Sequence, residues 1–148
     1  MSNIKEEMPL LARHEGEWEG VYTEFDPDGN IIDRHQSHLS CTFPESGPYP
    51  YYQINRYTWK DGKTEEHHFP ATFHDGRIWF DTERIDGSAW QADDKTILLY
   101  WERKGMPNVT LHEMIHLSDD GNHRSRTWHW CKDGVLFKRT IIKEQRMK

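Results

Sequence analysis

The dipeptide Asp-Gly recurs six times along these 148 residues, at 28–29, 61–62, 75–76, 86–87, 120–121 and 133–134. Asp followed by Gly tolerates the positive φ angles of tight hairpin loops, so each pair marks a place where an extended chain doubles back. Between the pairs lie short segments rich in Trp, Tyr, Phe, Ile and Thr, which favour a pleated, half-buried surface. The pattern predicts about ten strands, at 16–25, 30–43, 51–59, 64–73, 77–83, 88–92, 96–103, 109–118, 122–131 and 135–144. Residues 4–13 are expected to form a short helix, limited by Pro9. A meander this long leaves unpaired edges unless it closes. The expected fold is therefore an all-β, antiparallel up-and-down β-barrel, with 1–148 as a single domain.

Composition narrows the function classes. Aromatic residues make up 13% of the chain and include seven Trp, yet mean hydropathy is −0.99 and 30% of residues are charged. A disordered chain would lack those aromatics. A thin-walled fold with a polar outside and an amphipathic interior accommodates both. The net charge of −6, with Lys and Arg scattered among the acids, argues against nucleic acid as a partner. No apolar run reaches membrane-spanning length, and the first residues, MSNIKEEMPLL, lack the layout of a signal peptide. A cytoplasmic protein without a membrane partner is the expectation. Two cysteines, Cys41 and Cys131, do not make a disulfide framework.

If each Asp-Gly pair is a two-residue loop, residues facing one another across it share a side of the sheet. Chained from strand to strand, this rule gathers Gln53, Asn55 and Tyr57 with Glu66, His68 and Pro70, then with Trp79, Asp81 and Trp90. The same face continues through Ile97, Leu99, Trp101, Glu113 and Ile115 to Arg124, Arg126, Trp128 and Trp130, and ends on Phe137, Arg139 and Ile141. Its wealth of Trp identifies it as the interior. With Trp18 inward, Tyr22, His35, Leu39 and Cys41 follow, while Cys131 lies on the opposite face. The outer face is left with Ile54, Phe69, Phe73, Ile78 and Phe80, an apolar patch suited to cover by the N-terminal helix or to a homodimer.

His112-Glu113-Met114-Ile115-His116 spells the zinc-protease motif H-E-x-x-H, which works on a helix because residues i and i+4 there share a face. Here Leu111, Glu113, Ile115 and Leu117 alternate with Thr110, His112, Met114 and His116, which is strand periodicity. On a strand the two His would stand about 13 Å apart, too far to share one ion. The adjacent His67-His68 pair points to opposite faces and cannot chelate together. No metal site and no cofactor are expected, and His67 is read as a surface residue.

Gly16-Glu17-Trp18 followed by Gly20-Val21-Tyr22 resembles the Gly-x-Trp opening of calycins, the lipocalin-like barrels. The resemblance implies that Trp18 closes one barrel end and that an arginine from a late strand, Arg126 or Arg139, packs over it. The run from Leu11 through Trp18, with Phe43-Pro44-Glu45 and Arg126-Thr127-Trp128-His129-Trp130, is also similar to an uncharacterised lipocalin-like family associated with cyanobacteria. That second resemblance implies a fold and no activity.

The expected interior joins aromatic walls to polar and ionisable groups, more than a purely structural core requires. The reading that follows is a cofactor-independent enzyme of isomerase, cyclase or lyase type, acting on an enclosed aromatic or polyunsaturated, partly polar molecule. Glu113 and His68 are its acid–base candidates, Arg126 its anion stabiliser and Tyr57 a hydrogen-bonding group. Trp18, Tyr22, His35, Gln53 and Asn55 are expected to bind ligand, together with Trp79, Asp81, Trp101, Trp128 and Arg139. Beside this reading stand a disfavoured one, a zinc metalloprotease working through His112-Glu113-Met114-Ile115-His116, and two further alternatives. One is a carrier or sensor with the same cavity and no turnover; in the other, Glu113 and the arginines are ion pairs that brace the barrel.

Overall fold

The computed structural model describes residues 3–148; residues 1 and 2 of the expected 1–148 domain lie outside them. Two helical turns, α1 (Ile4–Glu7) and α2 (Pro9–Ala12), lead into ten strands. These are β1 (Gly16–Phe25), β2 (Ile31–Thr42), β3 (Tyr51–Thr58), β4 (Thr64–His74), β5 (Arg77–Asp81), β6 (Ile85–Gln91), β7 (Thr96–Arg103), β8 (Val109–Leu117), β9 (His123–Lys132) and β10 (Val135–Arg146). Each strand pairs antiparallel with the next, and β1 pairs with β10 to close the barrel, so no strand edge stays open. No helix is long and apolar enough to cross a membrane among the described residues.

The N-terminal turns plug one end. Ile4, Met8, Leu10 and Leu11 are buried, and the Gln91 side-chain oxygen accepts the Leu10 and Leu11 N–H groups at 2.8 and 3.0 Å. That oxygen meets α2 donors which have no partner within the turn. Trp18 seals the same end: its indole donates to the His14 carbonyl at 2.9 Å, and the guanidiniums of Arg124 and Arg146 lie over its ring, 4.9 and 4.4 Å away. The arginines over Trp18 are thus Arg124 and Arg146, in place of Arg126 or Arg139. Trp18 is fully buried there, which removes it from the ligand-binding set.

Loop length explains where the expected interior fails. At Asp61-Gly62 the pairing resumes between Trp59 and Lys63, with Gly62 at φ +93°, so the loop is one residue longer than a two-residue turn. A slip of one residue turns every following side chain over. Glu65, His67 and Phe69 consequently pair with Tyr57, Asn55 and Gln53, while His68 faces out and bonds Tyr52 and Glu66. The Asp75-Gly76 loop does have two residues, and it carries the error forward. Trp79 stacks on His74 on the outside, and Asp81 is exposed and pairs with Lys104. Ile78 and Phe80 are core residues, with Phe69 and Phe73 packed against the core, so the outer apolar face proposed for a homodimer does not form.

Asp86-Gly87 is no turn at all. Gly87 sits inside β6 opposite Phe80 and Trp101, where a Cβ would come within 2.5 Å of the Trp101 Cβ. Across residues 92–95 a second slip restores the face, so Ile97, Leu99 and Trp101 point inward, as do Glu113, Arg126 and Trp128 beyond them. On β10 a bulge between Leu136 and Lys138 turns the chain over once more. Arg139 therefore points to solvent, and Thr140, Ile142 and Glu144 take the interior.

Candidate functional site

Two layers fill the barrel above the Trp18 plug. The lower one is ionic. Arg126 donates from Nε to Glu113 at 2.7 Å and from Nη1 to Glu144 at 3.0 Å and the Tyr22 hydroxyl at 3.0 Å. Arg124 grips Glu144 at 2.7 Å and donates to Nδ1 of His14 at 3.1 Å. Two guanidiniums thus meet two carboxylates, and all four are buried. Burial alone would push the Glu144 carboxyl up, but Arg124 and Arg126 outweigh it and hold the group below its ordinary range. Burial, reinforced by Arg124, lowers His14 to about 2, so its imidazole is neutral. The His14 Nε2–H has no acceptor among the described residues.

A polar ladder along β3 flanks this layer. Tyr51 donates to Gln53, Gln53 to Asn55, and Asn55 to the Tyr57 hydroxyl, each at 2.8–2.9 Å. Side chains two apart on a strand share a face, which is why the series forms. Gln53 and Asn55 therefore answer one another's hydrogen bonds as well as lining the interior. A small space of about 50 Å³ lies over Glu113 and Arg126, beside Leu99 and Ile115.

The upper layer is an aromatic mouth holding a cavity of about 140 Å³. Tyr22, Tyr57, Trp59, Trp101, Trp128 and Trp130 wall it. His35 stacks on Tyr22 at 5.0 Å and meets Tyr57 edge-on at 4.9 Å. Its Nδ1 lies 2.7 Å from the Asp33 carboxylate, which also accepts the Trp59 indole N–H at 2.9 Å. His67 makes a second such pair, 2.9 Å from Glu65, with its ring 5.9 Å from that of Tyr57. Trp128 is only 8% exposed, and its Nε1–H has no acceptor among the described residues. Burial raises the Tyr22 and Tyr57 phenols, so both stay protonated. Larger grooves, such as one of about 710 Å³ beside the β7–β8 turn, run over the outer surface and enclose nothing.

The mouth gathers Tyr22, His35, Tyr57, Trp101 and Trp128 from the sequence-based set; Gln53, Asn55, Glu113 and Arg126 lie deeper. His68, Trp79, Asp81 and Arg139 face outward and Trp18 is sealed in the plug. Sequence reasoning missed His67, Glu65 and Glu144, all displaced by a one-residue slip, and Asp33, which shares a face with His35 two residues along β2 and was legible from that spacing. The H-E-x-x-H segment is strand β8, with Glu113 inward and His112 stacked on Tyr100 outside. No cluster of metal-ligating side chains exists among the described residues.

Comparison with known proteins agrees with this architecture. A family model described as domain of unknown function (DUF3598), N-terminal, matches residues 5–148. A search of curated proteins finds no match. Among solved structures, a DUF3598-family protein of unknown function from Nostoc punctiforme PCC 73102 aligns with a TM-score of 0.71 at 17% identity, over 93% of this chain and 49% of that one. The chain thus spans about half the length of that relative. An S-type phycobiliprotein lyase from Guillardia theta aligns at 0.75 with 13% identity, over 100% and 99% of the two chains. The protein Rv2717c from M. tuberculosis aligns at 0.67 with 13% identity, over the same shares. At these identities the likeness is one of fold.

Proposed function

We propose that this chain, which belongs to the family described as domain of unknown function (DUF3598), N-terminal, binds a planar aromatic or conjugated small molecule at the barrel mouth and moves a proton on it. The observation that carries this reading is the Asp33–His35 pair, at 2.7 Å, whose imidazole lines the cavity. A carboxylate on one ring nitrogen fixes the tautomer and orientation of an imidazole and supports the positive charge that forms when the other nitrogen takes a proton. The Trp59 indole steadies Asp33, and His35 Nε2 has no hydrogen-bond partner among the described residues.

His67 with Glu65 provides a second proton carrier across the Tyr57 ring. Removing a proton at one position and returning it at another is the work of an isomerase, and removal with loss of a leaving group is that of a lyase; neither needs a cofactor. The Trp128 N–H is a ready donor to a carbonyl oxygen that gains charge during either step. Glu113 and Arg126 are left out of the chemistry, because their charges are already met within the ionic layer. Drug-sized pockets run roughly 300–1,000 Å³, so a mouth of about 140 Å³ takes one ring, or the end of a longer molecule.

The test is calorimetry with 6-hydroxy-2-naphthoate in phosphate and in Tris, buffers that differ in ionisation enthalpy. Binding heats that differ between the buffers, in a way abolished by His35→Gln, support proton transfer at His35. Binding without proton exchange, or exchange unchanged in the variant, would turn the reading towards a carrier.

A further inference from the structure

The acids at the mouth are all answered. Asp33 is paired with His35, Glu65 with His67 and Lys63, and Glu24 with Lys138 at 3.6 Å. Two cations on the same cavity are not. Arg84 and Arg103, each half-buried, line the mouth on the β6 and β7 side, and neither forms an ion pair among the described residues. Arg103 donates only to main-chain carbonyls, those of Arg84 at 3.3 Å and Lys104 at 2.8 Å, and the Arg84 guanidinium has no hydrogen bond among the described residues. Partial burial, helped by the neighbouring charge of Arg84, lowers the Arg103 guanidinium from its ordinary value. Like charges held side by side without a counter-ion are a standing cost that an anion would relieve. Trp128, another residue lining this cavity, has a buried N–H that lacks an acceptor among the described residues.

We infer that the mouth's ligand carries an anionic oxo group, most simply a carboxylate, held by Arg84 and Arg103 while its planar body enters among the aromatic rings. This rests on the preceding reading of the mouth as the binding site and names the chemistry of what enters it. Guanidinium presents a rigid fork of N–H donors that matches the two oxygens of a carboxylate, which a lysine pair would not do. The ligand is thereby an aromatic or conjugated acid, and the rim arginines fix which end faces out.

Two probes of one shape separate the terms: 2-naphthoate, and the neutral 2-naphthamide. Titrated calorimetrically into the wild-type chain, naphthoate should bind at least tenfold more tightly than the amide, with an affinity that falls between 50 and 500 mM salt. Arg84→Gln with Arg103→Gln should abolish that preference by bringing naphthoate affinity down to that of the amide, and a wild-type tryptophan fluorescence spectrum confirms that the variant is folded. Equal binding of the two probes to the wild type, or full naphthoate affinity in the double variant, overturns the anion inference and leaves the mouth as the binding site. Failure of both probes to bind the wild type overturns both.

Discussion

Glu113→Gln is the substitution that separates a brace from a catalytic acid. In the native barrel Arg126 faces Glu113 at 2.7 Å and Glu144 at 3.0 Å, and Glu144 is shared with Arg124. Neutralising Glu113 leaves two buried guanidiniums on one carboxylate. Breaking a buried pair from one side costs about 3–5 kcal/mol, because a desolvated charge is stranded. Arg126 keeps Glu144 and Tyr22, so the expected loss is at the lower end, about 3 kcal/mol. Against a total stability of about 5–15 kcal/mol this is a large fraction. At a urea slope of about 2 kcal/mol per molar it lowers the unfolding midpoint by about 1.5 M.

The double variant Glu113→Leu with Arg126→Met removes both charges and leaves Arg124 with Glu144, a balanced pair. Its expected loss is less than half that of the single variant, since apolar replacement of a whole buried pair is often neutral or stabilising. Urea unfolding followed by tryptophan fluorescence reads both. A single variant within about 1 kcal/mol of wild type, or a double variant worse than the single, would refute the brace.

His14 sets a pH dependence. Its folded pKa is about 2 against an ordinary value of 6.5, so as pH falls the unfolded chain takes up a proton that the folded chain refuses. The stability this residue contributes is complete above pH 6.5 and is lost progressively as pH falls towards 2. Between pH 7 and 5 the loss should be about 2 kcal/mol, above the range where the lowered carboxyl groups titrate, and His14→Gln should flatten it in urea melts at the two pH values. Gly87→Ala forces a Cβ against the backbone and Cβ of Trp101, and should cost about 1–3 kcal/mol by the same assay. His68→Ala, on the outer face, should leave stability within about 0.5 kcal/mol of wild type and leave 2-naphthoate affinity unchanged.

Strand number and order were legible because Asp-Gly, aromatic residues and β-branched residues act locally. Register was not. An Asp-Gly pair says neither how many residues a loop contains nor, as Asp86-Gly87 inside β6 shows, that the chain turns there, and Asp61-Gly62 with one extra residue exchanged His68 for His67. The bulge on β10 likewise exchanged Arg139 for Arg126's second carboxylate, Glu144, and no residue near Leu136 announces it. Three of the four charged groups of the ionic layer, Glu113, Arg124 and Arg126, could therefore be placed inside in advance, and Glu144 could not. The mouth was legible only where the parity rule held or its errors cancelled, as at Trp101 and Trp128. The rim arginines Arg84 and Arg103 were invisible, because what distinguishes them is the absence of a partner, which only the assembled barrel reveals.

The most direct test of the mouth as the functional site is a ¹H–¹⁵N spectrum of the labelled chain titrated with 2-naphthoate. The indole N–H resonances of Trp59, Trp101, Trp128 and Trp130 and the imidazole signals of His35 and His67 should shift together, with Trp128 moving most as its N–H gains an acceptor. The outward Trp79 and the sealed Trp18 should stay in place. Shifts confined to Trp79 and the outer strands, with Trp128 unmoved at saturation, would contradict the account.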